Sequence, residues 1–328
     1  MMNAIKKIGV LTSGGDAPGM NACIRAVVKF ALANDIAVLG IQDGYQGLIE
    51  GRFQPLSYLE VNNIIHLGGT ILGTARSKDF LTSAGRQKAI AHLVKNEVDA
   101  LVLIGGDGTF AGGTVLSSET NIPVIGVPGT IDNDIAGTQF TIGYDTCLNT
   151  VIDAVDKIRD TASSHHRVFF VEVMGRNSGF IALNAAIASG AENVLLPESH
   201  TDIEELASAI KTQNKGVRSS IIIVAEGDDG GGAHEIMEKV RPYLEGYDLR
   251  HSVLGHIQRG GRPSAHDRIL ATRMGAFAVK SLLKGESNVM VGIQNDELLL
   301  QKIGEGSTSN AGLSLSRLDL LQSMLTKG

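Results

Sequence analysis

The sequence reads PVIGVPGTIDND at residues 123–134, an apolar segment followed directly by a loop with two carboxylates. The apolar part predicts a buried strand of a parallel sheet, because strands that are covered on both faces are nearly continuous in apolar residues. Asp132 and Asp134 then follow the end of the strand, where open α/β sheets bind their ligands. The loop alone leaves three alternatives open: a divalent-cation site, a base that removes a proton from a hydroxyl group, or an ordinary acidic turn.

The same order of apolar segment, turn and helix recurs along the chain. Further apolar segments predict strands at Ile8–Leu11, Ala37–Ile41, Ala100–Ile104, Val168–Val173, Asn193–Leu196, Ser219–Ala225, Arg250–Leu254 and Val289–Gln294. Helices are predicted at Met20–Ala33, Gly85–Lys95, Thr146–Thr161 and Ala265–Lys284. Because strands and helices alternate, we expect an α/β fold that is built from βαβ units with parallel sheets.

Length and composition restrict the class of protein. The chain has 328 residues, of which 43% are hydrophobic, which is enough for a large core and for two domains. Its net charge of -6, its 4% aromatic content and its lack of Trp argue against nucleic acid as a partner. The cysteines, Cys23 and Cys147, do not form a disulfide framework, which fits a reducing compartment. We recognise no signal peptide and no segment long enough to cross a membrane.

Glycine-rich turns follow two of the predicted strands and favour contact with phosphate. One is Thr12–Gly19, in which Gly15 allows the backbone to approach a ligand closely before a helix begins. The other is Gly105–Thr109, where Asp107 is the charged residue. Asp107 would repel phosphate unless a cation lay between them, so it is either a magnesium ligand or a helix cap. Tyr45, which follows the second predicted strand, either flanks a ligand or packs in the core.

Arginines and a further carboxylate mark other turns. Arg76 ends a loop that begins at Gly68, and Arg176 follows Gly175. Arginine binds phosphate through a planar fork of donors, although a solvated side chain is an equal alternative for Arg76. Glu226 lies at the end of another predicted strand, where it could accept hydrogen bonds from sugar hydroxyls. Glycines, carboxylates and arginines together are what phosphoryl transfer to a phosphorylated acceptor requires.

Five longer motifs extend this pattern over most of the chain. They are Thr12–Asn21, Gly105–Thr109, Pro128–Asp134, Val173–Arg176 and Leu254–Gly261. Together they closely resemble the bacterial ATP-dependent 6-phosphofructokinases. The resemblance implies two Rossmann-like three-layer αβα domains with mostly parallel sheets and an active site in the cleft between them. It implies a larger ATP-binding domain at residues 1–143 and 257–307, and a smaller fructose-6-phosphate-binding domain at residues 144–256 and 308–328.

The resemblance also implies a reaction, the committed step of glycolysis in the cytoplasm. ATP, with Mg²⁺, would donate its γ-phosphoryl group to the C1 hydroxyl of fructose 6-phosphate. Asp132 would be the base that takes the hydroxyl proton, and Asp107 would bind the metal. Arg76 and Arg176 would neutralise charge on the moving phosphoryl group. The full catalytic set that the resemblance implies is Asp132, Thr130, Arg76, Arg176 and Asp134.

The two substrates would contact different residues. The resemblance implies that ATP is surrounded by Gly15, Tyr45, Arg76, Ser77, Gly106, Asp107, Gly108 and Thr109. It implies that fructose 6-phosphate contacts Thr130, Ile131, Asp132, Arg167, Met174, Gly175, Arg176, Glu226, Arg250, His256 and Arg259. Because Arg167 and Arg250 would reach the sugar phosphate from a neighbouring subunit, the resemblance implies a homotetramer with shared active sites.

Two glycines bear on the phosphoryl donor. Relatives that use pyrophosphate typically carry Asp at the position of Gly108 and Lys at the position of Gly129. Both positions are glycine in this chain, which favours ATP. The other alternative is a catalytically silent subunit on the same fold, against which the intact Asp107, Asp132 and Arg176 argue.

A regulatory site for ADP or phosphoenolpyruvate is implied with less agreement. Residues that match the family's effector site are Arg25, Lys29, Arg159, Gly190, Glu192 and Lys215. Residues that depart from it are Tyr58, Leu59, Asn63 and Val217. An Arg-Tyr pair is usual at Tyr58 and Leu59, and a Lys is usual at Val217, so two cationic contacts with an effector are missing. Since a hydrogen bond to a charged group contributes about 1.5–3 kcal/mol, we expect weak or altered effector control.

Overall fold

The computed structural model describes residues 5–165, 167–213, 219–303 and 320. The described chain divides into two compact units. The first contains the residues up to Ile131, Ile135–Thr146 and residues 259–303, while Leu320 groups with the second unit. The second contains Asp132–Asp134 and Cys147–Gln258. Both units are discontinuous in sequence, and the short acidic segment at 132–134 groups with the second unit.

The first unit contains a seven-stranded, mostly parallel sheet with the order β11-β10-β5-β4-β1-β2-β3. Its strands are β1 (Lys7–Thr12), β2 (Ala37–Ile41), β3 (Phe53–Leu56), β4 (Ala100–Gly105), β5 (Val124–Pro128), β10 (Val289–Gln294) and β11 (Glu297–Lys302). The central strand β4 is buried along its whole length, as its apolar sequence requires. Its neighbours β1 and β5 run parallel to it, so the loops that follow all three strands leave the sheet at one edge.

Helices cover the sheet of the first unit. They are α1 (Met20–Leu32), α2 (Gly44–Glu50), α3 (Tyr58–Val61), α4 (Ser83–Lys95), α5 (Asp107–Thr120) and α10 (Ala265–Leu283). α1 packs against α10 closely, since a Cβ atom at Gly275 would lie 2.8 Å from the carbonyl oxygen of Cys23. α6 (Tyr144–His165) carries the chain onward into the second unit.

The second unit contains a four-stranded parallel sheet with the order β7-β8-β6-β9. Its strands are β6 (Arg167–Val173), β7 (Asn193–Leu195), β8 (Ser220–Ala225) and β9 (Asp248–Val253). The helices that follow are α7 (Phe180–Ser189), α8 (Ile203–Gln213) and α9 (Ala233–Val240). α8 and α9 bury their apolar faces in one core with Phe170 of β6 and Ile222 of β8. No helix among the described residues is long and apolar enough to cross a membrane.

The predicted fold class, α/β with mostly parallel sheets in two units, is confirmed. The two outer strands of the larger sheet, β3 and β11, were not predicted, and both pair antiparallel with their neighbours. β3 is a four-residue strand that contains Pro55, which is tolerated at a sheet edge because an edge strand needs fewer backbone donors. The observed units differ from the expected domain ranges by two or three residues near 143 and 257, apart from the segment at 132–134. The expected domain limits at 307 and 308 lie outside the described residues.

Candidate active site

Three loops meet at the carboxyl edge of the first sheet because β5, β4 and β1 are neighbours. The backbone N–H of Ser13, after β1, donates to the carbonyl of Ile104 at 3.1 Å. The N–H of Gly129, after β5, donates to the carbonyl of Gly105 at 3.0 Å. The predicted phosphate turn, the loop around Asp107 and the loop that contains Thr130 are thereby fixed side by side.

The loop after β4 leads directly into a helix N-terminus. Gly106 is the N-cap of α5, and Asp107 is the first residue of the helix. A helix N-terminus favours anions, because its first N–H groups have no partner within the helix. A Cβ atom at Gly108 would meet no other atom within 4 Å, so the space beside this helix turn is open. The Thr109 side chain is buried and donates to the carbonyl of Ser13 at 3.1 Å, which ties α5 to the turn after β1.

Gly15 lies against an arginine of the same unit. A Cβ atom at this position would collide with Nη1 of Arg259, so the guanidinium group rests directly on the glycine backbone. Nη1 also approaches the carbonyl of Asp16 at 3.5 Å. The structure thus brings together two residues that the resemblance assigned to different substrates, one to ATP and the other to the sugar phosphate.

Tyr45 packs in the core of the first unit. Its hydroxyl donates to the carbonyl of Thr109 at 2.5 Å, and its ring stacks on Phe80 with the ring centroids 4.0 Å apart. Burial raises the pKa of this hydroxyl. Of the two alternatives that the sequence left open, packing is observed, and contact with ATP stays a prediction.

The loop that carries Arg76 is anchored to the turn after β1. The hydroxyl of Thr74 donates to the carbonyl of Gly14 at 2.6 Å. Arg76 itself is exposed. Ser77 donates to the side chain of Gln46 at 2.7 Å and accepts from the N–H of Phe80 at 3.2 Å, so its hydroxyl fixes the loop.

The loop after β5 contains two carboxylates in different surroundings. Asp132 and Ile131 are buried, and the carbonyl of Thr130 accepts a hydrogen bond from the hydroxyl of Thr141 at 2.6 Å. Asp134 keeps part of its surface in solvent, yet desolvation by nearby protein raises its pKa, an effect that the charge of Arg176 opposes. A buried carboxylate and a second carboxylate near an arginine fit proton transfer beside a developing negative charge better than an ordinary turn does.

The turn after β6 brings Arg176 to the end of β8. Gly175 and Arg176 have φ angles of 140° and 55°. A positive φ is common for glycine but unusual for a residue with a side chain as large as that of Arg176. The backbone N–H of Arg176 donates to Oε1 of Glu226 at 2.9 Å. A side chain at Gly227 would collide with the carbonyl of Arg176, so the two loops lie in direct contact. Arg176 and Glu226 are therefore neighbours, while their contact with a common ligand stays a prediction.

Gln258 is a connecting residue that the sequence did not reveal. It is fully buried in the 3₁₀ helix Gly255–Arg259, which also carries the exposed His256. Its Oε1 accepts from the backbone N–H of Met174 at 3.2 Å, and its Nε2 donates to the carbonyl of Gly255 at 3.0 Å. The residue joins two segments that were both predicted to contact the sugar phosphate. A neutral polar residue within a motif gives no signal of this kind until its burial is known.

Arg167 and Arg250 lie on adjacent strands of the second sheet and share one carboxylate. Nε of Arg167 donates to Oδ2 of Asp248 at 2.7 Å, and Nη1 of Arg250 lies 2.8 Å from Oδ1 of the same residue. The bond from Arg167 is the main reason why the pKa of Asp248 is lowered. The sequence suggested both arginines, but it gave no indication of Asp248.

The predicted effector residues are distributed over both units. Arg25 and Lys29 lie on α1, and the ammonium group of Lys29 is 6.0 Å from the ring centroid of Tyr58. Tyr58 and Leu59, which depart from the family pattern, are 50% and 85% exposed.

In the second unit Arg159 is held by its own chain. Its Nη1 donates to Glu192 at 3.0 Å, and its Nη2 donates to the carbonyls of Ser189 and Gly190 at 3.1 and 2.9 Å. Lys215 and Val217 lie outside the described residues.

Comparisons with known proteins agree on one family. The family model described as phosphofructokinase matches residues 7–282. The chain is 54% identical to ATP-dependent 6-phosphofructokinase 2 of Bacteroides thetaiotaomicron over 299 residues, which cover 91% of this chain and 92% of that protein. It is 52% identical to ATP-dependent 6-phosphofructokinase 1 of Thermus thermophilus, with 97% and 99% covered.

A solved structure supports the same assignment. Phosphofructokinase from Saccharomyces cerevisiae superimposes with a TM-score of 0.86 at 34% identity, over 98% of this chain. The chain spans 46% of the length of that yeast chain. From the match over residues 7–282 and the identities above 50%, we conclude that the chain belongs to the phosphofructokinase family.

Proposed function

We propose that this chain is an ATP-dependent 6-phosphofructokinase, which transfers the γ-phosphoryl group of ATP to the C1 hydroxyl of fructose 6-phosphate. The observation that carries the proposal is the loop after β5, with Asp132 buried and Asp134 within the field of Arg176. The curated relatives from Bacteroides thetaiotaomicron and Thermus thermophilus, which match almost end to end, carry this activity in their names.

Asp132 is the base that accepts the proton of the C1 hydroxyl. A carboxylate is a weak base, so the reaction depends on holding the hydroxyl close and on the acidity that it gains as it bonds to phosphorus. Arg176 and Arg76 neutralise the charge that spreads over the moving phosphoryl group. Thr130 and Asp134 flank the reacting groups.

The first unit binds the nucleotide through backbone groups. The N-terminus of α5 and the turn at Gly15 offer N–H donors to the phosphates, and the open space at Gly108 admits the α-phosphate. Asp107 is the carboxylate that would hold Mg²⁺, since magnesium usually takes one or two carboxylates together with phosphate oxygens. When bound, the ion would neutralise charge on the β- and γ-phosphates.

The second unit supplies most of the groups that recognise the sugar phosphate. Glu226 accepts hydrogen bonds from sugar hydroxyls, and its orientation is fixed by the N–H of Arg176. Met174 and Gly175 belong to the turn after β6. Gln258 fixes this turn by accepting a hydrogen bond from the backbone N–H of Met174. His256 and Arg259, together with Arg167 and Arg250, bind the phosphate.

The donor is ATP rather than pyrophosphate. A Cβ atom at Gly108 would meet no atom beyond its own helix turn within 4 Å, so packing does not require glycine here and the open space leaves room for a nucleotide. At Gly129 a Cβ atom would lie 3.1 Å from Ile104 and 3.2 Å from Met20, so a Lys would have to displace both side chains.

A coupled assay for fructose 1,6-bisphosphate tests this function directly. With magnesium and fructose 6-phosphate present, we expect turnover with ATP and none with pyrophosphate. Turnover with pyrophosphate alone would overturn the choice of donor. An absence of turnover with either donor would favour a silent regulatory subunit.

Assembly, location and regulation are further parts of the proposal. We expect a cytoplasmic homotetramer in which Arg167 and Arg250 serve a neighbouring active site, and sedimentation analysis tests the tetramer. We also expect weak control by ADP or phosphoenolpyruvate, because Tyr58 and Leu59 replace an Arg-Tyr pair. Strong inhibition by sub-millimolar phosphoenolpyruvate would contradict this expectation.

A further inference from the structure

The edge strand β9 and its neighbour β6 carry three charged side chains on one face of the second sheet. In the register of these parallel strands Arg167 is paired with Asp248, and Phe169 is paired with Arg250. Asp248 and Arg250 are two residues apart on one strand, so their side chains leave the sheet on the same side as Arg167. The cluster therefore follows from strand register and does not depend on loop conformation.

The carboxylate of Asp248 uses both of its oxygens. Oδ2 accepts from Nε of Arg167 at 2.7 Å, and Oδ1 lies 2.8 Å from Nη1 of Arg250. Nη1 of Arg250 also donates to the carbonyl of Leu249 at 3.2 Å. Each guanidinium group has five N–H donors, so both terminal nitrogens of Arg167, and Nε and Nη2 of Arg250, are left out of these contacts.

The charges in this cluster leave a net positive site. Two arginines and one carboxylate carry a net charge of about +1 at neutral pH, because the pKa of Asp248 is lowered and the guanidinium groups stay protonated. All three side chains are partly exposed, with 25%, 38% and 51% of the Arg167, Asp248 and Arg250 side chains accessible. A dianionic phosphate monoester matches two guanidinium groups that are held at a fixed separation.

We propose that Asp248 is a positioning residue that holds Arg167 and Arg250 together as one receptor for the phosphate group of the sugar substrate. The inference rests on the proposed function, in which these arginines bind that phosphate. Asp248 does not touch the substrate. It fixes one edge of each guanidinium group, so that less side-chain freedom is lost when the phosphate binds the other edge. The opposite interpretation is that Asp248 competes with the phosphate for the two arginines. Removing Asp248 would then raise the affinity for fructose 6-phosphate, whereas a positioning role predicts that it falls.

The test compares Asp248→Ala and Asp248→Asn with Glu245→Gln, an exposed carboxylate three residues earlier that changes the net charge by the same amount as Asp248→Asn. For Asp248→Ala we expect the KM for fructose 6-phosphate to rise about tenfold or more, because the phosphate itself must then order two free guanidinium groups. The KM for ATP and the melting temperature should stay close to the parent values, as should all parameters of Glu245→Gln. An unchanged or lower KM for fructose 6-phosphate in Asp248→Ala would overturn the proposal.

A second measurement does not depend on turnover. Phenylglyoxal modifies accessible arginines, and peptide mapping reports the rates at Arg167 and Arg250 separately. In the intact assembly we expect both arginines to react faster in Asp248→Ala than in the parent chain or in Glu245→Gln. Equal rates in all three proteins would show that Asp248 does not hold the arginines. If the rates change as expected but the parent chain does not phosphorylate fructose 6-phosphate, the proposed function fails while the positioning role stands.

Discussion

The two units of the molecule prepare for a phosphorylated ligand in different ways. At the carboxyl edge of the first sheet, glycines bring the backbone to the surface, as at Gly106 before α5 and at Gly15 beneath Arg259. In the second unit the loops present charged side chains that are held by other side chains or by backbone N–H groups, as with Glu226 and Arg176. We therefore expect ligand binding in the first unit to be weakened by atoms added at its glycines. In the second unit we expect it to be weakened by the loss of charged side chains.

The largest effect that we expect comes from removing a charge in the second unit. Asp132→Ser should lower kcat by about a hundredfold to ten-thousandfold, the range usual for the loss of a general base. The KM values should change little, because the base acts in the chemical step, and a thermal melt checks that the fold persists without the buried carboxylate. Steady-state kinetics with both substrates would measure the change. Near-normal turnover would exclude Asp132 as the base.

Adding a single methyl group tests the first unit. Gly15→Ala should lower kcat/KM for fructose 6-phosphate about tenfold, because the new Cβ displaces the guanidinium group of Arg259 and so removes a charged contact. The fold should persist, since the displaced group is the end of a flexible side chain. Kinetics and a thermal melt measure the two effects separately.

Gly108→Ala is the matched control for this experiment. Its Cβ would meet no atom beyond its own helix turn within 4 Å, so the melting temperature should change little and Arg259 should be unaffected. Any loss should appear in the KM for ATP. Equal losses toward fructose 6-phosphate in both variants would mean that the contact between Gly15 and Arg259 has no special role.

One buried carboxylate is an exception to the backbone design of the first unit. Asp267 accepts from the N–H groups of Gly143 and Thr146 at 2.9 and 2.8 Å, and from the hydroxyl of Thr146 at 2.5 Å. Asp267→Ala should lower the free energy of unfolding by about 3 kcal/mol, since it leaves buried donors without an acceptor. Ser264→Ala removes the N-cap of α10 together with the hydrogen bond from the Ser264 hydroxyl to Asp145, and should cost about 1–2 kcal/mol. Urea denaturation measures both, and equal losses would contradict the role of Asp267.

The sequence predicted the parts of this molecule that depend on local order. Apolar segments followed by glycine turns located the strands that bear the site, because burial on both faces requires an almost continuous apolar sequence. Asp132, Arg176 and Glu226 were chosen as candidates because each is a charged residue at a predicted strand end, and their roles stay predictions. Asp248 and Gln258 were missed, since their importance arises from partners that are distant in sequence. Tyr45 was noticed in the sequence, but its role was not determined. The sequence alone could not distinguish a ligand contact from the buried hydrogen bond that its hydroxyl donates to Thr109.

The smallest effect on activity is expected from the two thiols, and it sharpens the comparison of the units. Cys23 lies in the first unit and Cys147 in the second, and both are fully buried. Burial also raises the pKa of the Cys23 thiol, so little of the reactive thiolate is present. Neither thiol should react with a disulfide reagent in the native protein, and Cys23→Ser and Cys147→Ser should each keep nearly full activity.

Each single-cysteine variant then reports the opening of one unit. In increasing urea we expect Cys147, measured in Cys23→Ser, and Cys23, measured in Cys147→Ser, to become reactive over the same range if the units unfold together. Reactivity of Cys147 at lower urea would show that the second unit, with its smaller sheet, opens first. Rapid reaction of either thiol without urea would contradict the burial on which this prediction rests. Because the candidate site draws residues from both units, the unit that opens first would set the urea concentration at which the site is lost.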